Sequence, residues 1–232
     1  MKTLIFLHGW AATGNIWQKQ TAAFQKRFRV ETPTIPTWDP AWLTSYLQQF
    51  SLPDCLLVGW SLGGMLLLEA LAQEPAPPGG LILVGVAPVF CTRQGHPQGQ
   101  PPAAVRAMRR ALKSNPQNVV QDFALSCLSP NEEAFQEEVT PLFPAGDAAH
   151  LATGLDYLLH RDLRPLLPRV TASCTLIQGG QDRIVAPEQA RFLHDHLPGS
   201  SLRFLPHAGH LAFWTKAGEF NGILKEILGR EQ

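Results

Sequence analysis

The run Gly59-Trp60-Ser61-Leu62-Gly63-Gly64 sets one serine between close-spaced glycines, after an apolar stretch and before a second one. In a strand–turn–helix context this G-x-S-x-G spacing lifts a serine above a sheet and aims it at a substrate carbonyl. A serine needs a base, and the base needs an orienting acid. Two later positions supply them in a workable chain order. Asp182 follows the apolar run Cys174–Gln178 through Gly179-Gly180-Gln181, and His210 ends Pro206-His207-Ala208-Gly209-His210 after Ser201–Leu205. His207 and Asp162 are the competing base and acid. His207 lies earlier in its loop without a preceding glycine, and Asp162 precedes a strand and reads, with Leu163-Arg164, as a structural anchor. An oxyanion needs two N–H donors. Leu62 offers one at a helix start, and Trp10 of His8-Gly9-Trp10 offers the other. The chemistry this set can perform is acyl transfer through a serine.

Positioning these groups requires strands that end on one side. Apolar runs at Thr3–Leu7, Phe28–Glu31, Cys55–Gly59, Leu81–Val86, Cys174–Gln178 and Ser201–Leu205 read as strands. Helical spacing covers Asn15–Arg27, Trp42–Phe50, Leu62–Gln73, Pro187–Leu197 and Ala217–Leu228, the third apolar on nearly every face. Continuous apolar strands alternating with helices predict an α/β fold with a mostly parallel sheet covered on both faces. Residues 88–161 break the rhythm with helical spacing and no strand. They are expected to form a helical cap over a core of residues 1–87 and 162–232.

Composition narrows the function classes. Charged residues make up 16% of the 232 positions, and 19 basic side chains balance 19 acidic ones. A neutral chain lacks the basic field that would hold nucleic acid. Cys55, Cys91, Cys127 and Cys174 form no CxxC pair, so free buried thiols are expected rather than a zinc or redox site. The eight histidines show no metal-ligand spacing, and neither metal nor cofactor is expected. No apolar run reaches the ~18 residues that span a bilayer, and Leu4–Leu7 is too short for a signal-peptide core. The expectation is a cytoplasmic monomer.

Leu7-His8-Gly9-Trp10, the Gly59–Gly64 run, and Asp162-Leu163-Arg164 with Leu167 and Val170 resemble the α/β-hydrolase superfamily. More narrowly they resemble the family of pimeloyl-[acyl-carrier protein] methyl ester esterases of biotin synthesis, tryptophan in both motifs favouring that branch. The resemblance implies an α/β-hydrolase fold with Ser61 as nucleophile, Asp182 as acid, His210 as base, and Trp10 and Leu62 as oxyanion donors. It also implies that Phe123-Ala124-Leu125-Ser126-Cys127 lines an acyl pocket, to which Trp10 and Trp60 would add apolar walls. The chain departs from the family at Thr32–Thr37, where an acidic Gly-rich turn is usual, and at Ala212, where proline is usual. Three readings fit: an esterase for a short-to-medium acyl chain, a thioesterase or C–C hydrolase on the same fold, and a ligand receptor built on that scaffold.

One charge pattern concerns a partner. Arg106, Arg109, Arg110 and Lys113 fall at i, i+3, i+4 and i+7, the spacing of one helix face, with no acidic residue nearby in sequence. An acidic acyl-carrier protein is the partner such a face would fit.

Overall fold

The computed structural model describes residues 2–74 and 76–229. Six strands, β1 (Thr3–Leu7), β2 (Arg29–Glu31), β3 (Cys55–Trp60), β4 (Gly80–Val84), β5 (Cys174–Gly179) and β6 (Ser201–Leu205), form one sheet in the order β2-β1-β3-β4-β5-β6. Every neighbouring pair is parallel. The central strands β1, β3 and β4 are buried along their whole length, as their unbroken apolar runs require. β4 stops two residues short of the sequence expectation because Gly85 turns the chain away at φ 55°.

The helices of the sheet layers are α1 (Gln18–Phe24), α2 (Pro40–Leu47) and α3 (Leu62–Leu71). Four more, α4 (Pro102–Ala111), α5 (Pro116–Ser126), α6 (Gln136–Val139) and α7 (Ala148–His160), fill the long connection between β4 and β5. The chain closes with α8 (Pro187–His196), α9 (Ala212–Thr215) and α10 (Ala217–Gly229). Right-handed crossovers put α1 and α10 on one face and α2, α3 and α8 on the other. The helix expected over Asn15–Arg27 is shorter than its sequence pattern. It begins as a 3₁₀ turn, Gly14–Trp17, and α1 ends at Phe24 because Gln25, Lys26 and Arg27 have nothing apolar to bury.

The strand order reverses between β1 and β3. The chain leaves β1 toward β2 on one side, and after β3 it proceeds to β4, β5 and β6 on the other. In open parallel sheets the crevice beyond the strand ends at such a reversal is where ligands bind. His8-Gly9-Trp10 and Ser61 emerge there.

Residues 88–161 add α4–α7 and no strand to the sheet. They are tied to the sheet layers by polar contacts. The Trp10 ring N–H donates to the Leu151 carbonyl on α7 at 2.8 Å. Tyr157 of α7 donates its hydroxyl to Oε2 of Glu69 on α3 at 2.6 Å, and Arg161 pairs with Oε1 at 3.2 Å. Burial first, then that bond to Glu69, pushes the Tyr157 hydroxyl far above the usual phenol range. All four cysteines are free and buried.

Candidate active site

Three loops at the strand ends converge. Ser61 sits between β3 and α3 at φ 53°, ψ −123°, a region that non-glycine residues rarely occupy and that costs on the order of 1–3 kcal/mol. The strain falls on the serine itself. Gly63 supplies room instead, since a side chain there would collide with the His8 carbonyl. That close approach brings the His8-Gly9-Trp10 loop against the start of α3. The backbone N–H groups of Trp10 and Leu62 donate to no other described residue. Leu62 opens the helix, where free N–H groups and the positive dipole end favour an anion.

Asp182 and His210 are buried together, and His210 Nδ1 donates to Asp182 Oδ2 at 2.7 Å. Gln178 Nε2 donates to the same oxygen at 3.1 Å. Oδ1 accepts from the backbone N–H groups of Ile184 at 2.8 Å and Val185 at 2.9 Å. With four donors around it, this carboxylate has one orientation. Because the Nδ1 proton is held in the hydrogen bond to Asp182, Nε2 is the ring atom left with a lone pair, and it has no partner among the described residues. The His210 backbone is held on both sides: its N–H donates to the Cys127 carbonyl at 2.8 Å, and its carbonyl accepts from the Trp60 ring at 3.0 Å. Gly85 makes space for the pair, since a side chain there would come within 2.9 Å of His210 Nδ1.

His8 keeps the Trp10 loop in place as a neutral ring. Ile35 N–H donates to its Nε2 at 2.9 Å, so the proton sits on Nδ1 and is donated to the Gly9 carbonyl at 2.8 Å. Burial lowers its pKa to about 4. Below pH 6.5 the unfolded chain takes up a proton that the folded one refuses. The stability from neutral His8 is therefore complete above pH 6.5 and falls as pH drops from 6.5 toward 4. The loss should reach about 3 kcal/mol. Denaturant unfolding at pH 7 and pH 4.5, compared with a His8→Gln variant, reads this directly. A His8→Gln protein as acid-sensitive as the parent would contradict it.

The competing residues are placed elsewhere. His207 is exposed. Asp162 is engaged by Arg164, whose side chain donates at 2.9 and 2.6 Å, and hydrogen bonding to that guanidinium holds its carboxyl below the usual range. Cys127 lies near Asp182, but burial keeps its thiol protonated, well above the ordinary value.

An apolar cavity of about 490 Å³ lies between α4, α5 and α7, with Trp10, Phe90, Val105, Met108, Phe123 and Leu158 among its walls. Trp10 joins it to the strand-end site: its ring lines the cavity and meets Phe123 edge-on at 4.9 Å. Phe123 and Ser126 are among its walls. Ala124, Leu125 and Cys127 are not. Helical geometry turns Ala124 fully inward, leaves Leu125 40% exposed, and sets Cys127 behind His210. Trp60 is not among the cavity walls either; its ring lies 5.2 Å from that of His210.

The basic face also needs correcting. Asp156 on α7, 47 residues on in sequence, takes Arg109 in a two-bond pair at 2.5 and 2.8 Å. α4 ends at Ala111, so Lys113 lies in the following turn. Arg106 and Arg110 remain exposed on the helix, with Lys113 beside it. Gln178, Glu69, Gly85 and Glu132 escape a sequence reading, since each acts through a partner distant along the chain. Among the described residues no three His, Cys, Asp or Glu side chains gather as a metal would need. Nor is any helix long and apolar enough to cross a membrane.

A parallel sheet presenting serine, acid and histidine in that order at its strand ends has the architecture of an α/β hydrolase. The chain belongs to the alpha/beta hydrolase family, whose model matches residues 4–223. It is 28% identical to the pimeloyl-[acyl-carrier protein] methyl ester esterase of Chromobacterium violaceum, over 97% of this chain and 93% of that protein. It is 26% identical to the protein of the same name from Nitrosospira multiformis, over 94% and 90%. Among solved structures, an esterase from Exiguobacterium antarcticum superposes with a TM-score of 0.88 at 24% identity, over 98% of this chain and 92% of that one.

Proposed function

We propose that the protein is a serine carboxylesterase that cleaves a carboxylic ester, a methyl ester in the first instance, of a short-to-medium acyl chain. The observation that carries this reading is the Asp182–His210 bond, which leaves Nε2 without a partner among the described residues, on a loop beyond the same end of the sheet as Ser61. His210 Nε2 takes the Ser61 proton as the serine oxygen attacks the ester carbonyl. The tetrahedral oxyanion rests on the N–H groups of Trp10 and Leu62. The alcohol leaves with the proton from His210, giving an acyl-Ser61 ester. Water, deprotonated by His210, then releases the acid and restores the serine.

The cavity and the relatives support the substrate class. An apolar space of about 490 Å³ suits an acyl chain. Relatives named for the pimeloyl-carrier methyl ester span nearly the whole chain, which supports a carrier-bound pimeloyl methyl ester and a place in biotin synthesis. An acidic carrier protein would meet Arg106, Arg110 and Lys113 beside the cavity, with Arg109 already committed to Asp156. A carrier-bound substrate of this kind would place the reaction in the cytoplasm.

Hydrolysis rates decide the matter. Along a series of free methyl esters, kcat/KM should rise by about fourfold per methylene that the cavity buries, then fall once it is full. Pimeloyl-carrier methyl ester should surpass the free ester of equal length, and the matching acyl thioester should be turned over more slowly. A rate indifferent to acyl length would remove the acyl-pocket reading. A thioester preferred over the methyl ester would replace the esterase reading with a thioesterase.

A further inference from the structure

We infer that Glu132 is a positioning residue for His210, holding the histidine loop from the connection between α5 and α6. The inference rests on His210 as the base. Glu132 is the third residue of the 3₁₀ turn Pro130–Phe135 that follows Ser129 and is only 1% exposed. Its Oε2 accepts from Ser129 N–H at 2.9 Å, as a helix-capping glutamate would. The same oxygen also accepts from Gly209 N–H at 2.9 Å, across 77 residues. Gly209 is the residue immediately before His210.

Capping alone requires neither the burial nor the second bond. Oε1 is buried without a partner among the described residues, a costly way to hold a carboxylate. The neighbouring bonds serve the same loop. Cys127 carbonyl accepts from His210 N–H at 2.8 Å, and Ser129 Oγ donates to the His207 carbonyl at 3.4 Å. The segment 127–132 therefore grips residues 207–210 at three successive points, with Glu132 as the only side-chain acceptor. Without it, the Gly209 N–H loses its partner, the loop relaxes, and His210 Nε2 loses its fixed position.

The test measures kcat, KM and melting temperature for Glu132→Ala and Glu132→Gln on a small free ester. Displacement of a catalytic group by about an ångström should lower kcat by about 10- to 100-fold in Glu132→Ala, with KM within about twofold. Glu132→Gln should recover most of that loss, since one amide oxygen can accept both N–H groups as Oε2 does. Glu132→Ala that melts earlier yet keeps its kcat per folded molecule would reduce Glu132 to a cap and overturn the inference. If Glu132→Ala does not fold, Glu132→Asp decides. One methylene shorter, it cannot reach both donors, so its kcat must fall, and an unchanged kcat overturns the inference. His210→Ala runs alongside. A dead His210→Ala beside an unaffected Glu132→Ala defeats only the positioning role, whereas an active His210→Ala defeats the base reading and this inference with it.

Discussion

Ser61→Ala is expected to lower kcat by at least about four orders of magnitude while leaving the fold intact. The proposed nucleophile disappears, but its surroundings do not. Alanine carries the same Cβ as serine, so it meets the φ of 53° at the same cost. The donors at Trp10 and Leu62 and the Asp182–His210 bond are untouched, so residual turnover reflects binding and oxyanion stabilisation alone. Unfolding free energy should change by no more than about 0.5 kcal/mol. Ester turnover under saturating substrate, together with a denaturant curve, checks both halves. A Ser61→Ala enzyme within tenfold of the parent would mean that another group attacks the ester.

The second large effect belongs to the proposed acid. Asp182→Asn should cost about four orders of magnitude in kcat, because it selects the wrong imidazole tautomer. The surroundings of Asp182 dictate how the new amide must turn. Ile184 and Val185 N–H both donate to Oδ1, so the amide oxygen is fixed on that side. The NH₂ group then replaces Oδ2, facing His210 Nδ1 and the Gln178 NH₂. Nδ1 becomes the acceptor, the ring proton moves to Nε2, and the base is lost. Two NH₂ groups facing each other should also destabilise the fold, by about 1–3 kcal/mol. Steady-state kinetics of Asp182→Asn reads the first effect. A kcat within tenfold of the parent would mean that Asp182 does not set the tautomer.

The parts of this site that sequence reveals are those whose physics is local. A glycine-flanked serine between an apolar strand and an apolar helix defines its own turn, and an HG pair after a strand defines another. Asp182 and His210 stand out because each follows an apolar run by a short Gly-containing loop. Edges are less legible. β4 ends where Gly85 takes a positive φ, and a lone glycine after a run of Leu and Val does not announce its conformation. Pairings across long separations are not legible at all. Arg106, Arg109, Arg110 and Lys113 look like one uncompensated face because Asp156 lies on another helix. Leu125 and Trp60 look like pocket walls because apolar character does not say which way a side chain turns. Glu132 stands close to Glu133, Glu137 and Glu138, and nothing in that acidic stretch of sequence sets it apart. Only the fold singles it out, by turning it inward onto Gly209.

The central claim is that Ser61 attacks the substrate, with His210 as its base. A serine-directed phosphonate followed by peptide mass mapping tests it most directly. The expected result is one covalent adduct per chain, on Ser61, formed in step with the loss of esterase activity. The adduct should be absent from Ser61→Ala and form far more slowly in His210→Ala. An adduct on any other residue, or full inactivation with Ser61 unmodified, would contradict it.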